Sequence, residues 1–250
     1  MVNYLFKKSF QLKTFKPTNY NDLWGKRGVF STIRVIGKKP NYILFHDHIK
    51  NINLSLKKLN ISFALSEKKL LLLITPLLSK IKKHDHLLRI ALNSKILSIS
   101  LRKRSESVKN FDAILYSYQR SNPLLKNLYY KKILKRLSSI NTQKREIVLF
   151  KNNFILEGCT TNILCISNKK IYVPKTNFYK GTTMKYILSK TKRESKKINI
   201  SIHELFKFDE IILVGTGKGV ISLQSIDKID WKPKSNLIYK ELLSIYNKLM

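Results

Sequence analysis

The chain has 250 residues, 43% of them hydrophobic and 10% aromatic, enough for one large domain or two lobes with their own cores. Lys and Arg number 49 against 15 Asp and Glu, a formal net charge of +34. The basic residues are mostly Lys, spread over the whole length among many Asn, Ile, Leu and Tyr, which is the mark of A/T-biased codons. A nucleic-acid-binding stripe would instead gather Arg and aromatics on one element, so the charge argues against that class of partner.

Two cysteines, Cys159 and Cys165, are too few for a disulfide framework and lack the Cys-x-x-Cys spacing of a zinc site; they fit a reducing cytoplasm. No apolar run approaches the roughly 20 residues of a membrane span. The longest, LLLLITPLL at 70–78, is interrupted by Pro76 and reads as part of a core helix. The N-terminal MVNYLFKKSFQLKTFKP lacks acids, as a transit peptide does, but it alternates like a strand, so no removable leader is expected.

Along the chain, GVFSTIRVIG (28–37) and NYILF (41–45) read as strands. A helix is expected in 47–61, where Ile49, Ile52, Leu56 and Leu59 fall on one face. A second helix is expected over about 66–82. HLLRIALN and ILSISLRK then read as strands joined by a turn at Asn93 and Ser94. After Pro123, LLKNLYYKKILKRLSS has the composition of a helix. The segment from Arg145 alternates as strands with turns at Asn152–Asn153 and Asn168. A helix over about 182–196, strand text in EIILVGTGKGVISLQSID and an amphipathic C-terminal helix complete the reading. The fold class is α+β, with a small lobe over 1–116 and a larger one over 117–250.

Three stretches of the second lobe share one chemical theme. YKGTTMKYIL (179–188) places Gly181, Thr182 and Thr183 at a helix start, where unpaired N–H groups and the helix dipole favour an anion. VGTGKGVIS (214–222) places Thr216 between Gly215 and Gly217 just after an apolar strand. EGCTTNILCI (157–166) puts Glu157, one of few acids, at a strand end. A phosphate cradle, a lone carboxylate and a lysine are the three partners that pyridoxal phosphate needs. Taken singly, each stretch is equally an ordinary helix cap or turn. HDH at 46–48 and again at 84–86 has no further ligand cluster for a metal, and Cys159 has no sequence partner that would make it a nucleophile.

In their order and spacing, LEGCTTNILCI, IYVPKTNFYKGTTMKYIL and DEIILVGTGKGVISLQSID resemble the fold-type IV pyridoxal-phosphate enzymes, the class IV aminotransferase family. Its members include branched-chain and D-amino acid aminotransferases and 4-amino-4-deoxychorismate lyases. RGVFSTIRV and HIKNINLSLKKLNI are similar to the family's small domain, so the resemblance runs from about 25 to 228. It implies a two-lobed fold of the D-amino acid aminotransferase type, a cofactor cleft between lobes, a homodimer and a small amino substrate.

Carried over position by position, Glu157 faces the pyridine nitrogen, and Thr182, Thr183, Thr216 and Gly217 hold the phosphate. LKNLYY implies Lys126 as the Schiff-base lysine and acid/base, with Tyr130 near the ring hydroxyl; Lys131 and Lys132 are the alternatives. Ser-Thr-x-Arg after Phe30 resembles the lyase form, with Thr32 delivering a proton and Arg34 either binding a substrate carboxylate or supporting its strand. The implied reaction converts 4-amino-4-deoxychorismate to 4-aminobenzoate and pyruvate for folate synthesis. An aminotransferase on the same scaffold is the alternative, and a non-catalytic homologue or basic nucleic-acid-binding protein a further one. One departure stands out: the family's His-x-x-Arg, whose Arg meets the cofactor phosphate, is here His48 followed by Asn51, with Lys50 the nearest basic substitute.

Overall fold

The computed structural model describes residues 3–108 and 110–250. The chain divides into two compact units, one formed by Met1–Arg104 with Leu125–Lys131 and the other by Ser105–Leu124 with Lys132–Met250. No helix among the described residues is long and apolar enough to cross a membrane.

The first unit is a six-stranded sheet with two helices. In chain order these are β1 (Tyr4–Gln11), β2 (Pro17–Thr18), β3 (Val29–Gly37), β4 (Asn41–Tyr42), α1 (Phe45–Lys58), α2 (Glu67–Leu78), β5 (His84–Leu92) and β6 (Ile96–Lys103). The strand order is β2-β1-β6-β5-β3-β4. Alternation along β3 divides its side chains between two faces. Val29, Ile33 and Val35 join a core with Ile49, Ile52 and Leu56 of α1 and Leu70, Ile74 and Leu78 of α2. Each such side chain contributes about 1.5–3 kcal/mol on burial. Phe30, Thr32 and Arg34 occupy the alternate positions.

The strand expected over 41–45 is shorter, because Leu44 takes a left-handed conformation (φ 53°) and the helix begins at Phe45. The helix expected from Leu124 is also absent from its first half. Residues 125–130 lie beside the start of β3, joined by an isolated bridge between Val29 and Asn127: Phe30 N–H donates to Lys126 O (2.9 Å), Leu128 N–H to Gly28 O (3.0 Å) and Gly25 N–H to Leu128 O (2.8 Å). Asn127 adds a side-chain turn, accepting the Tyr129 N–H at 3.0 Å. Backbone groups committed to a strand partner cannot also close helical turns, and the helix α3 starts only at Lys131 and ends at Leu137.

The second unit is an eight-stranded sheet. Its strands are β7 (Phe111–Ser117), β8 (Arg145–Lys151), β9 (Phe154–Gly158), β10 (Asn162–Ser167), β11 (Lys170–Pro174), β12 (Ser195–Ile198), β13 (Glu210–Gly215) and β14 (Gly219–Ile226); its further helices are α4 (Thr182–Lys190) and α5 (Leu237–Asn247). The strand order is β12-β11-β10-β13-β14-β7-β8-β9. The turns expected at Asn152–Asn153 and at Asn168 are present, with Asn152, Asn153, Asn168 and Lys169 all at positive φ. The helix expected to run to 196 stops at Thr191, and the chain re-enters the sheet as β12, parallel to β11. Apolar residues of α4 and α5 cover one face of the sheet, against Leu164, Ile166, Ile212 and Val214.

One buried titratable group links α1 to β3. His48 is 4% exposed, and its Nδ1 lies 2.7 Å from Ser31 Oγ. Burial first, and then the positive charge of Lys126, push the imidazole down to about 3 from an ordinary 6.5. Between those values the unfolded chain binds a proton that the native state refuses, so this group removes stability as pH falls from 6.5 toward 3 and removes none above that window. The expected slope is about 1.4 kcal/mol per pH unit for one proton. His48→Gln flattens it, which urea unfolding at about pH 4 and about pH 7 checks as a difference between variant and parent.

Candidate functional site

The acid end of the second unit is built around Glu157, which lies next to last in β9 and is 5% exposed. Its Oε1 accepts from Arg120 Nε at 2.6 Å and its Oε2 from the Tyr179 backbone N–H at 3.2 Å. Arg120 is itself 4% exposed and donates through Nη2 to Pro123 O at 2.8 Å. The buried carboxylate is therefore both paired and hydrogen-bonded, as burial requires. Burial pushes the Tyr179 phenol up to about 12, so that side chain stays protonated.

The turn after Glu157 is held by a second buried acid. Glu146 Oε1 accepts the Ile147 N–H at 3.0 Å, and its Oε2 accepts the hydroxyls of Thr160 and Thr161. A Cβ on Gly158 would come within 2.2 Å of Thr161 Oγ1, so only glycine lets the turn close. Cys159 sits in this turn, and burial together with Glu146 and Glu157 raises its thiol well above the ordinary range. It is therefore no ready thiolate. Cys165 is raised by burial alone.

Asn162, the first residue of β10, reaches across to the segment before α4. Its Nδ2 donates to Tyr179 O at 2.6 Å, and its Oδ1 accepts the Gly181 N–H at 2.9 Å. Gly181 is the N-cap of α4 and places Thr182 and Thr183 in its first turn, both buried. Thr183 Oγ1 lies 3.4 Å from Thr216 Oγ1. Thr216 and Gly217 form the tight turn between β13 and β14. The two small-residue stretches read from the sequence thus meet, and the donors they gather suit an anionic group.

The remaining candidates lie in the first unit. Lys126 packs its Nζ 5.3 Å from the centre of the Phe30 ring. Tyr130, 7% exposed, stands edge-on to that same ring at 5.4 Å and stacks on Trp24 at 5.8 Å. Thr32 follows on the same face of β3, half-buried. Arg34 Nε donates to Asp85 Oδ1 at 3.1 Å, and Arg104 Nε donates to both oxygens of Asp85. Burial alone would raise the Asp85 carboxyl, but these two guanidinium groups hold it below its ordinary range. Asn51 lies one turn after His48 on α1, and Lys50 is exposed.

Four residues of these arrangements escape a reading of the sequence: Arg120, Glu146, Asn162 and Tyr179. Asn162 lies within the EGCTTN stretch, yet its partners are 17 and 19 residues downstream. Loss of its amide leaves a buried carbonyl and N–H without their partner. Asn162→Ala is expected to lower unfolding stability by about 1–3 kcal/mol, measured by urea denaturation.

A family model described as amino-transferase class IV matches residues 28–226. A search of curated protein sequences gives no significant match. Among solved structures, a Legionella pneumophila protein assigned as a 4-amino-4-deoxychorismate lyase has a TM-score of 0.76 at 19% identity, over 89% of this chain and 91% of that one. The branched-chain aminotransferase of Thermoproteus uzoniensis, solved with norvaline, gives 0.79 at 16% identity over 96% and 93%. The T.th. branched-chain amino acid aminotransferase, solved with pyridoxamine 5'-phosphate, gives 0.77 at 17% identity over 99% and 94%. These likenesses carry the fold, two sheets with flanking helices. The family model, matched over most of the length, carries the assignment: the chain belongs to the class IV aminotransferase family.

Proposed function

We propose that this enzyme is a pyridoxal-phosphate-dependent lyase that converts 4-amino-4-deoxychorismate to 4-aminobenzoate and pyruvate. The observation that carries the cofactor reading is the second unit's set of groups: a buried, paired carboxylate at Glu157 and an anion cradle at Thr182, Thr183 and Thr216. They fit the group in kind, since a basic ring nitrogen calls for an acid and a phosphate for backbone N–H groups and hydroxyls. Gly217 adds backbone that a ligand can approach closely. The structural relative solved with pyridoxamine 5'-phosphate supports the same cofactor.

When bound, the cofactor supplies an electron sink for the carbon that carries the substrate nitrogen. The chain's residues do the rest. Glu157 keeps the ring nitrogen protonated. Lys126 would hold the cofactor through its amine until the substrate's amine takes its place, and the freed lysine amine would then take the proton from the carbon bearing the substrate nitrogen. Either Lys126 or Thr32 returns a proton to the departing three-carbon group, and formation of an aromatic ring drives its release. Tyr130 orients the ring hydroxyl. Arg34, buried and paired with Asp85, would either receive a substrate carboxylate or support its strand. Asn51 replaces an arginine contact to the phosphate, at a cost to cofactor affinity of about 1.5–3 kcal/mol.

Thr32 on β3 favours the lyase over transamination. The aminotransferase reading stays alongside it because relatives named as branched-chain aminotransferases match as well as the one named as a lyase. Purified protein supplied with pyridoxal phosphate is expected to develop a visible absorption band that Lys126→Ala removes. Retention of that band in the variant would take the role from Lys126. On 4-amino-4-deoxychorismate the enzyme is expected to release pyruvate; turnover only on an amino acid with 2-oxoglutarate would replace the lyase by an aminotransferase. Glu157→Gln is expected to lower turnover by about 100-fold or more, since an amide cannot hold the ring proton by charge.

A further inference from the structure

The reaction leaves one buried acid of the second unit without a part. Glu146, in β8, is fully buried (0% exposed) in a chain with only 15 acidic residues. Its carboxylate accepts the Ile147 N–H at 3.0 Å and the hydroxyls of Thr160 and Thr161. A buried carboxylate is costly unless its oxygens are hydrogen-bonded, so both hydroxyls are committed to it. The residues on either side of this threonine pair are anchored in other ways. Glu157 and Gly158 pair with Leu149 and Val148 of β8, the Cys159 N–H donates to Ile147 O at 2.8 Å, and Asn162 pairs with Val214 of β13. Thr160 and Thr161 lie between the two strands, and Glu146 is what grips them. They bear in turn on the β13–β14 hairpin. A Cβ on Gly215 would stand 3.0 Å from Thr160 O and 3.2 Å from Thr161 Cγ2, so the turn lies against that glycine's backbone. On the other side, a Cβ on Gly158 would meet Glu146 Cγ at 3.1 Å, which leaves the clamp no slack. Gly215 ends β13, and Thr216 follows it to approach Thr183.

We infer that Glu146 is a positioning residue for the cofactor phosphate: through Thr160 and Thr161 it braces Gly215, and so fixes where Thr216 and Gly217 stand against the first turn of α4. The inference rests on the cofactor reading above and deepens it. Two tasks are kept apart in this corner of the unit. The ring acid, Glu157, is held by Arg120, the Tyr179 N–H and the β8–β9 ladder. The phosphate cradle joins two elements, the start of α4 and the turn after β13, and the second of them leans on the brace. Loss of the Glu146 carboxylate therefore loosens the grip on phosphate and leaves the partner of the ring nitrogen in place. The effect is one of geometry. A buried negative charge by itself opposes the binding of an anion, so an influence carried by charge alone would have the opposite sign.

The test uses the full-length protein with pyridoxine 5'-phosphate and pyridoxine, which share a ring and differ by the phosphate. Neither has an aldehyde, so no lysine chemistry enters. Calorimetric titration gives the two dissociation constants, and their ratio reads what the phosphate contributes. In the parent that ratio is expected to be about 100-fold or more. Glu146→Ala is expected to shrink it by about tenfold or more, with pyridoxine itself changed by less than about threefold. Glu146→Gln keeps an acceptor for the Ile147 N–H and an amide that both hydroxyls can accept from; it is expected to hold the ratio within about threefold of the parent. Gly215→Ala, whose methyl presses on the turn, is expected to shrink the ratio in the same direction as Glu146→Ala. Equal weakening of both ligands in Glu146→Ala, a ratio that rises, or a Gln variant no better than the Ala one would each overturn the inference and leave the cofactor reading intact. Should Glu146→Ala not fold, Gly215→Ala decides, and a parent-like ratio there overturns the inference equally. Failure of the parent to bind pyridoxine 5'-phosphate at all would remove the cofactor reading and the inference with it.

Discussion

A carboxylate buried to 5% exposure survives only if its charge is met, and in the second unit the hydrogen bonds from Arg120 and the Tyr179 N–H to Glu157 meet it. Much of the local architecture follows from that requirement. The Tyr179 N–H reaches Glu157 because Asn162 pins the segment from Tyr179 to Gly181. Pinning that segment sets where α4 begins, and hence where Thr182 and Thr183 stand. Thr183 in turn meets Thr216 from the far hairpin. A half-paired network of this kind costs more than an apolar core would, so its members hold one another in a single arrangement.

The first unit solves a different problem. Lys126 has a long, flexible side chain, and its backbone is fixed. The stretch 125–130 is tied to the start of β3 by backbone hydrogen bonds around the Val29–Asn127 bridge, and the Lys126 carbonyl is one of the tied groups. Phe30 then serves both Lys126 and Tyr130, one ring giving two side chains a common wall. Arg34 is fixed by Asp85, which Arg104 also grips.

How much of this is legible in the sequence depends on the range of the interaction. Hairpins turning at Asn152–Asn153 and Asn168 are local, set by asparagine's tolerance of positive φ, and they are readable. The apolar face of α1 is readable for the same reason, as a repeat of three and four. The segment around Lys126 is misread as helix because Leu, Lys and Asn at that spacing carry no mark of a strand partner far upstream. The Arg120–Glu157 pair is hidden likewise: its partners are 37 residues apart, and one arginine among so many basic residues has nothing local to single it out. Glu157, by contrast, is conspicuous because acids are scarce, and the small residues flanking it advertise close backbone approach.

The return of Leu125–Lys131 to the first unit has a consequence for modularity. The chain leaves that unit after Arg104, comes back for seven residues and departs again, so neither unit is one uninterrupted piece of gene. A fragment cut at residue 104 would carry β3 with the start of its edge unsheathed, and a fragment from 105 onward would carry a segment whose backbone partners on β3 are missing. Exchange of either unit between relatives, by recombination or by engineering, must therefore move this short inset together with the larger body, or sever the lysine from the strand that holds it.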